Sequence, residues 1–390
     1  MGTIVPPMPG RFLLHGRVIT PLRDLVVASV LIEGQRIAWV KPGKIDVPGS
    51  TLLTDPGDTV VPGYIDLQVN GLAGHDAASG ADAIAAISTA LPRYGVTGFL
   101  PTLISRPIVE AVAFIAACAN VTPHGARVLG AHVEGPFLNP RFRGAHDPAC
   151  LVLPKREFVA RLMSRPPRMV TLAPELPGAD QAIQALAAAG VLVSAGHSGA
   201  TFAEAELGFV AGVRFGTHLF NAMAPLHHRE PGLPGALLLE QRVTVGLIAD
   251  GIHVHPAMLL LAVKTAGPGR VALTSDATAA AASPPGRYMI AGRETISDGT
   301  SARLEDGTLA GSAVTMNRMV DLMAGLPGVT LRDAVEMATL TPARVLGIEK
   351  DAGGIHRGAR ADLVVLDHAK RVKLTLVGGQ VAYRADGRDA

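Results

Sequence analysis

His197 and His218 are the side chains around which a chemical reading of this sequence can be built. Each closes an apolar run, 191–195 and 213–217, and the stretch 201–212 between them has helical composition. That pattern is a strand–helix–strand unit whose two parallel strands each deliver an imidazole at the carboxyl end. In parallel α/β folds, ligands bind at that end. Two neutral imidazoles on neighbouring strand ends begin a metal site; a single one would read as a buried structural histidine.

Three further strand ends carry ionisable or amide groups: Asp66-Leu67-Gln68-Val69-Asn70-Gly71, His132-Val133-Glu134-Gly135-Pro136 and Ser275-Asp276-Ala277. Glu134, His197 and His218 make a carboxylate-plus-two-imidazole set, which suits Zn²⁺ and leaves a fourth position for water. Such an ion lowers the pKa of its water to about 7 and polarises a carbonyl. Asp276 then fits the role of general base and acid. Two plainer readings stay open: Glu134 paired with Arg141 or Arg143, and Asp276 as a helix N-cap.

The elements that must position these groups alternate between strand and helix. Candidate strands fall at 59–69, 95–102, 127–134, 169–173, 191–196, 213–217, 243–249 and 270–276. Ala-rich helical segments fall at 81–94, 107–119, 154–163, 179–189, 203–211 and 256–266. Eight strands with helical crossovers predict an α/β fold, a (β/α)8 TIM-like barrel. A doubly wound open sheet is the rival, but no Gly-x-Gly-x-x-Gly or Walker loop follows a first strand. Residues 286–309 read as a hairpin-rich excursion, with helices following at 311–324 and 331–338.

Both chain ends read differently, as short strands broken by turns, at 11–19, 25–32, 36–40 and 51–53, then 362–366, 372–377 and 380–383. They predict one small β-sandwich domain built from both termini, 1–59 plus 350–390, flanking a barrel at 60–349.

Composition narrows the function classes. Of 390 residues, 48% are hydrophobic and 17% charged, and the formal net charge is +2, so no basic field points to nucleic acid. Two cysteines, Cys118 and Cys150, form neither a disulfide framework nor a zinc ribbon. Residues 1–11 lack a signal-peptide pattern and no apolar run is long enough to span a bilayer, so a cytoplasmic location without membrane contact is expected.

Taken in order, the glycine-framed first strand, His132-Val133-Glu134-Gly135-Pro136-Phe137, Gly196-His197-Ser198, Thr217-His218-Leu219-Phe220-Asn221-Ala222-Met223 and Ser275-Asp276 resemble the amidohydrolase superfamily. Within it they are similar to the N-acetylglucosamine-6-phosphate deacetylases. Leu172-Ala173-Pro174-Glu175, Arg229-Glu230-Pro231-Gly232-Leu233, Asp250-Gly251-Ile252-His253, Leu309-Ala310-Gly311-Ser312 and Thr341-Pro342-Ala343-Arg344 extend the resemblance over nearly the whole chain. It implies hydrolysis of the acetamide of N-acetyl-D-glucosamine 6-phosphate to glucosamine 6-phosphate and acetate. It also implies one divalent metal ion per subunit, Zn²⁺ being expected, held by Glu134, His197 and His218, with Asp276 as catalytic acid and base.

The same resemblance implies substrate contacts at Ala145, His146, Asn221 and Ala222, and a closing loop at Leu309, Ala310 and Gly311. It further implies a homodimer in which Arg229 and His253 reach the neighbouring active site to meet phosphate and sugar. His255 reads as structural. A sister deacetylase for N-acetylgalactosamine 6-phosphate would share the metal-binding residues, a deaminase could use the same barrel, and a non-catalytic sugar-phosphate sensor would have lost one of the four key groups.

Two departures from wider amidohydrolase patterns sharpen the expected site. Where many members carry His-x-His on strand one, this chain has Gln68 and Asn70, and neutral amides are poor Zn²⁺ ligands. No second metal is expected, and Gln68 and Asn70 are expected only to hydrogen-bond water or neighbours. Strand four (169–173) has no lysine to be carboxylated, which argues against dihydroorotase-like or hydantoinase-like chemistry.

Overall fold

A computed structural model describes residues 10–385. Residues 1–9 and 386–390, the outermost parts of the expected terminal domain and most of the 1–11 stretch read for a leader, lie outside the described residues.

Eight parallel strands make the barrel: β1 (Tyr64–Val69), β2 (Val96–Leu103), β3 (His132–Glu134), β4 (Met169–Leu172), β5 (Leu192–Ala195), β6 (Phe215–Gly216), β7 (Thr244–Leu247) and β8 (Val271–Leu273). Each pairs with the next in chain order. The ring closes between β8 and β1, where the Asn70 and Gly71 N–H groups donate to Ala277 O at 2.8 and 2.9 Å. Asp66 fastens the same seam by accepting from the backbone N–H of Ser275 at 3.0 Å and of Gln68 at 3.2 Å. Crossover helices such as Ile108–Asn120, Ala179–Ala188 and Phe202–Ala211 cover the outside. The last begins in a capping box, Thr201 with Glu204, which satisfies N–H groups the first turn would leave bare.

The structure adjusts the expected elements in three places. The run 59–69 divides at Gly63: Thr59–Pro62 joins the terminal sheet, and β1 starts at Tyr64. A Cβ on Gly63 would lie 2.2 Å from Thr97 Oγ1, so only glycine permits this close crossing. The run 127–134 is interrupted after Arg127–Val128 and resumes at His132. A helix at Gly232–Leu239 carried no sequence signal because seven of its eight residues are buried, which erases amphipathic periodicity.

The terminal sheet runs Gln380–Arg384, Val372–Val377, Leu363–Leu366, Thr59–Pro62, Arg11–Thr20, Arg23–Glu33, Arg36–Pro42, with Thr51–Leu52 beside Arg11–Thr20. Strands from both ends of the chain thus share one sheet. It rolls over a core of its own that includes Leu14, Val30, Val60, Leu363 and Leu374. The roll is pinned where Ile37 N–H meets Ala359 O and Ala361 N–H meets Gln35 O, both at 2.9 Å. The excursion after β8 is a four-stranded antiparallel sheet, Gly286–Ile290, Arg293–Ser297, Ser301–Arg303 and Leu309–Ser312. Among the described residues, no helix is long and apolar enough to cross a membrane.

Candidate active site

The four groups expected to carry chemistry converge at the carboxyl end of the barrel. Glu134 ends β3, and its i−2 neighbour His132 shares the inward face, as strand alternation requires. His197, His218 and Asp276 lie just beyond β5, β6 and β8, with φ of +51°, +32° and +48°. Left-handed backbone is unfavourable for residues with a Cβ, by about 1–3 kcal/mol each, and clusters at functional sites. Here it turns each side chain from the strand direction into the barrel mouth.

Glu134 Oε1 lies 3.2 Å from His197 Nε2 and 3.0 Å from His218 Nε2, and the two Nε2 atoms are 3.0 Å apart. His197 donates its Nδ1 proton to Phe142 O at 2.8 Å. Burial, with His146 beside it, lowers the His197 pKa to about 4, so the ring is neutral and its Nε2 carries a lone pair. That lone pair faces a carboxylate oxygen, a repulsive arrangement unless a cation sits between them. Tetrahedral Zn²⁺ with ligands at about 2.0–2.1 Å spaces them roughly 3.3 Å apart, close to this triangle. The donor set therefore fits one divalent ion. Burial alone would raise the Glu134 carboxyl, but the facing imidazoles of His146, His197 and His218 hold it well below the ordinary range. Neither Arg141 nor Arg143 pairs with it.

His146 forms a second compact donor group with Glu134 and His197, their ligand atoms within 4.8 Å of one another. Its hydrogen bonds give it a different task. Nδ1 accepts from the Ser105 backbone N–H at 3.0 Å and lies 2.8 Å from Ser105 Oγ, so the proton of the neutral ring sits on Nε2. A protonated Nε2 is a donor, suited to an oxygen that gains negative charge. His132 is no ligand: its Nε2 lies 2.8 Å from Thr171 Oγ1 inside the barrel, and burial pushes its pKa down to about 4.

Gln68 and Asn70 each support a carboxylate. Gln68 Nε2 donates to Glu134 Oε1 at 3.0 Å, and Asn70 Nδ2 donates to Asp276 Oδ1 at 2.7 Å. Burial and the charge of Glu134 push the Asp276 carboxyl up to about 7, against the pull of His218, His253 and Asn70. Asp276 does not cap a helix; Ser275 Oγ accepts the Ala277 N–H instead.

Glu134, His197, His218 and Asp276 line a cavity of about 300 Å³. Ala145, His146, Asn221, Ala222, His253, Leu309 and Gly311 line it too. Ala310 does not; it is buried behind the wall against Ala145 and Leu304. Arg229 is exposed and away from the cavity of its own chain. His253 corrects an expectation: rather than reaching a neighbouring site, it lines this chain's own cavity. The Asp250-Gly251-Ile252 turn folds it back, and its Nδ1 lies 2.6 Å from Asp250 Oδ2. His255 caps the helix Pro256–Ala266, Nδ1 accepting from Ala257 N–H at 3.2 Å.

Some functional residues had no sequence signal. Ser105 sets the His146 tautomer, and the Phe142 carbonyl sets that of His197. Glu175 accepts from Ser198 Oγ at 2.7 Å, Gly199 N–H at 2.7 Å and Asn139 Nδ2 at 2.9 Å, which fixes the turn carrying His197. The cues for Glu175 were its place directly after strand four and the Leu172-Ala173-Pro174-Glu175 piece of the resemblance.

A closed parallel barrel with a Glu/His/His cluster and a buried carboxyl of raised pKa at its carboxyl rim is the architecture of a metal-dependent hydrolase. Residues 59–382 match the amidohydrolase family, and the chain belongs to it. It is a hydrolytic enzyme. The N-acetylglucosamine-6-phosphate deacetylase of Danio rerio is 38% identical over 373 residues, covering 89% of this chain and 92% of that protein. The N-acetylgalactosamine-6-phosphate deacetylase of Escherichia coli O157:H7 is also 38% identical, over 353 residues with the same coverage. A mutant N-acetyl-D-glucosamine-6-phosphate deacetylase from Mycobacterium smegmatis, solved in complex with N-acetyl-D-glucosamine-6-phosphate, superposes with a TM-score of 0.90 at 34% identity. That match covers 96% of this chain and 99% of the other.

Proposed function

We propose that the protein hydrolyses the acetamide of N-acetyl-D-glucosamine 6-phosphate to D-glucosamine 6-phosphate and acetate, in the cytoplasm, with Zn²⁺ held by Glu134, His197 and His218. The observation that carries the reading is the tight triangle of Glu134 Oε1, His197 Nε2 and His218 Nε2 beside the buried carboxyl of Asp276. A divalent ion held there supplies Lewis acidity toward the acetyl carbonyl and acidifies water. Asp276 accepts the proton of the attacking water, then returns it to the departing amine nitrogen. His146, with Nε2–H directed by Ser105, donates to the acetyl oxygen as charge develops on it. Asn70 keeps the Asp276 carboxylate aimed, and Asn221 with Ala222 forms the sugar-facing edge beyond His218.

Closure of the loop Leu309–Gly311 over the sugar belongs to the same reading, as does a homodimer in which Arg229 serves a neighbouring site. The exposed loop around Arg229, in which Leu226 is also exposed, supports the latter. A galactosamine-type substrate is the second reading, favoured by the equal identity to the E. coli relative. The test is acetate release from each phosphorylated sugar by protein stripped of metal and then restored at one equivalent per subunit. Turnover of N-acetylglucosamine 6-phosphate that returns with the metal is the expected result. Preference for the C4 epimer would transfer the assignment, and ammonia in place of acetate would point to a deaminase.

A further inference from the structure

We propose that Arg141 binds the phosphate from within the same chain and so sets the preference for phosphorylated over unphosphorylated sugar. This rests on the sugar-phosphate reading above. Arg141 lines the cavity that holds Glu134, His197 and Asp276, and it is the one arginine or lysine among the described residues doing so. Its side chain is exposed, and no carboxylate or carbonyl among the described residues takes its guanidinium. Other arginines of the surrounding loops are engaged: Arg106 on Glu110, Arg293 on Ala145 O, Arg303 on Gly307 O. His253 is committed to Asp250 and His146 to Ser105. Among the described residues that line the cavity, Arg141 is therefore the one arginine with a full planar fork of donors free for an anion.

The backbone beneath it is rigid. Arg141 sits in the single turn Pro140–Phe142, whose N-cap Asn139 accepts the Arg141 N–H at 3.0 Å. Asn139 N–H also donates to His197 O at 3.0 Å, and Phe142 O receives the His197 Nδ1 proton at 2.8 Å. One turn thus fixes the orientation of a metal-site imidazole and projects a free guanidinium over the same cavity. On the reading above, the acetamide occupies the floor beside Glu134, His197, His218 and Asp276, so the phosphate at the other end of the sugar lies toward the rim, where Arg141 stands.

The phosphate does not change during hydrolysis, so an interaction with it is felt equally in ground and transition states and appears in KM. Wild type, Arg141→Ala and Arg141→Lys, all metal-loaded, are compared on N-acetylglucosamine 6-phosphate and on unphosphorylated N-acetylglucosamine. A charge-assisted hydrogen bond contributes about 1.5–3 kcal/mol, so R141A should lose ~10- to 100-fold more kcat/KM on the phosphorylated sugar than on the unphosphorylated one. The loss should lie in KM, and R141K should recover part of it. Equal losses on both sugars, or an unchanged preference, would overturn the proposal. Calorimetric titration with inorganic phosphate reads the same interaction without turnover, and therefore independently of the deacetylase reading. Weaker phosphate binding by R141A supports the proposal, and equal binding overturns it.

Discussion

Asn70 donates its side-chain amide to Oδ1 of Asp276 at 2.7 Å, across the seam that closes the barrel. The bond stabilises the charged carboxylate and so opposes the burial and the Glu134 charge that push this group up to about 7. Removing it must raise the pKa further. The proposed mechanism requires the base form of Asp276, so activity should fall as pH drops through its pKa. Asn70→Ala should therefore move the acid limb of the kcat/KM profile upward, by about one unit if the bond is worth ~1.5 kcal/mol. The other charges facing Asp276, namely Glu134, His218 and His253, remain in that variant. A limb that stays in place would remove Asn70 from any role in proton transfer.

Asp276→Asn tests the carboxylate itself. Loss of a general acid–base should lower kcat by roughly 10²–10⁴-fold, with metal content by mass spectrometry unchanged. Metal-free protein should respond in the opposite sense. A carboxyl whose folded pKa lies above its unfolded value, from about 3.8 to about 7, stabilises the fold at low pH, and that stability is lost as pH rises through the window between them. The neutral amide escapes this penalty, so metal-free D276N should melt above metal-free wild type at pH 8. Loss of metal from D276N would instead place Asp276 among the ligands.

Gln68 donates to the Glu134 oxygen that faces both imidazoles. A neighbour that orients a metal ligand is worth about 10- to 100-fold in metal affinity. Gln68→Ala should bind Zn²⁺ more weakly by that margin in chelator competition, while retaining full kcat at saturating metal. Undiminished affinity would reduce the bond to packing.

How much of this could be read from residues alone follows from where each signal lives. His197, His218, Glu134 and Asp276 stand at the ends of apolar runs, so period and position exposed both the barrel and its rim. The Gly232–Leu239 helix was hidden because burial on all sides leaves no polar face to mark it. That His253 lines its own chain's cavity is not legible in the sequence, which does not record how the Asp250 turn folds it inward. Ser105 and the Phe142 carbonyl act through a backbone N–H, a hydroxyl and a backbone oxygen brought close by folding, and those contacts have no sequence signature. Arg141 was first weighed as a partner for Glu134; only the structure leaves its guanidinium free at the cavity.

Gly311 tests whether the returning hairpin holds the Asp276 carboxylate in place. Its φ is +68°, and a Cβ there would lie 2.5 Å from Thr278 Cγ2 and 2.7 Å from Asp276 O. Next to it, Ser312 N–H donates to that same Asp276 oxygen at 2.8 Å. Gly311→Ala must either strain its own backbone or push the Asp276 segment away, at a cost of about 1–3 kcal/mol. Gly307, in the same hairpin, has φ +86° with nothing within 4 Å of its missing Cβ. Gly307→Ala therefore carries the conformational cost without the collision. Both variants should lose stability, but only G311A should also lose kcat, because only there does the added methyl displace the backbone of Asp276. Equal kcat in the two variants would show that the hairpin covers the cavity without positioning its base.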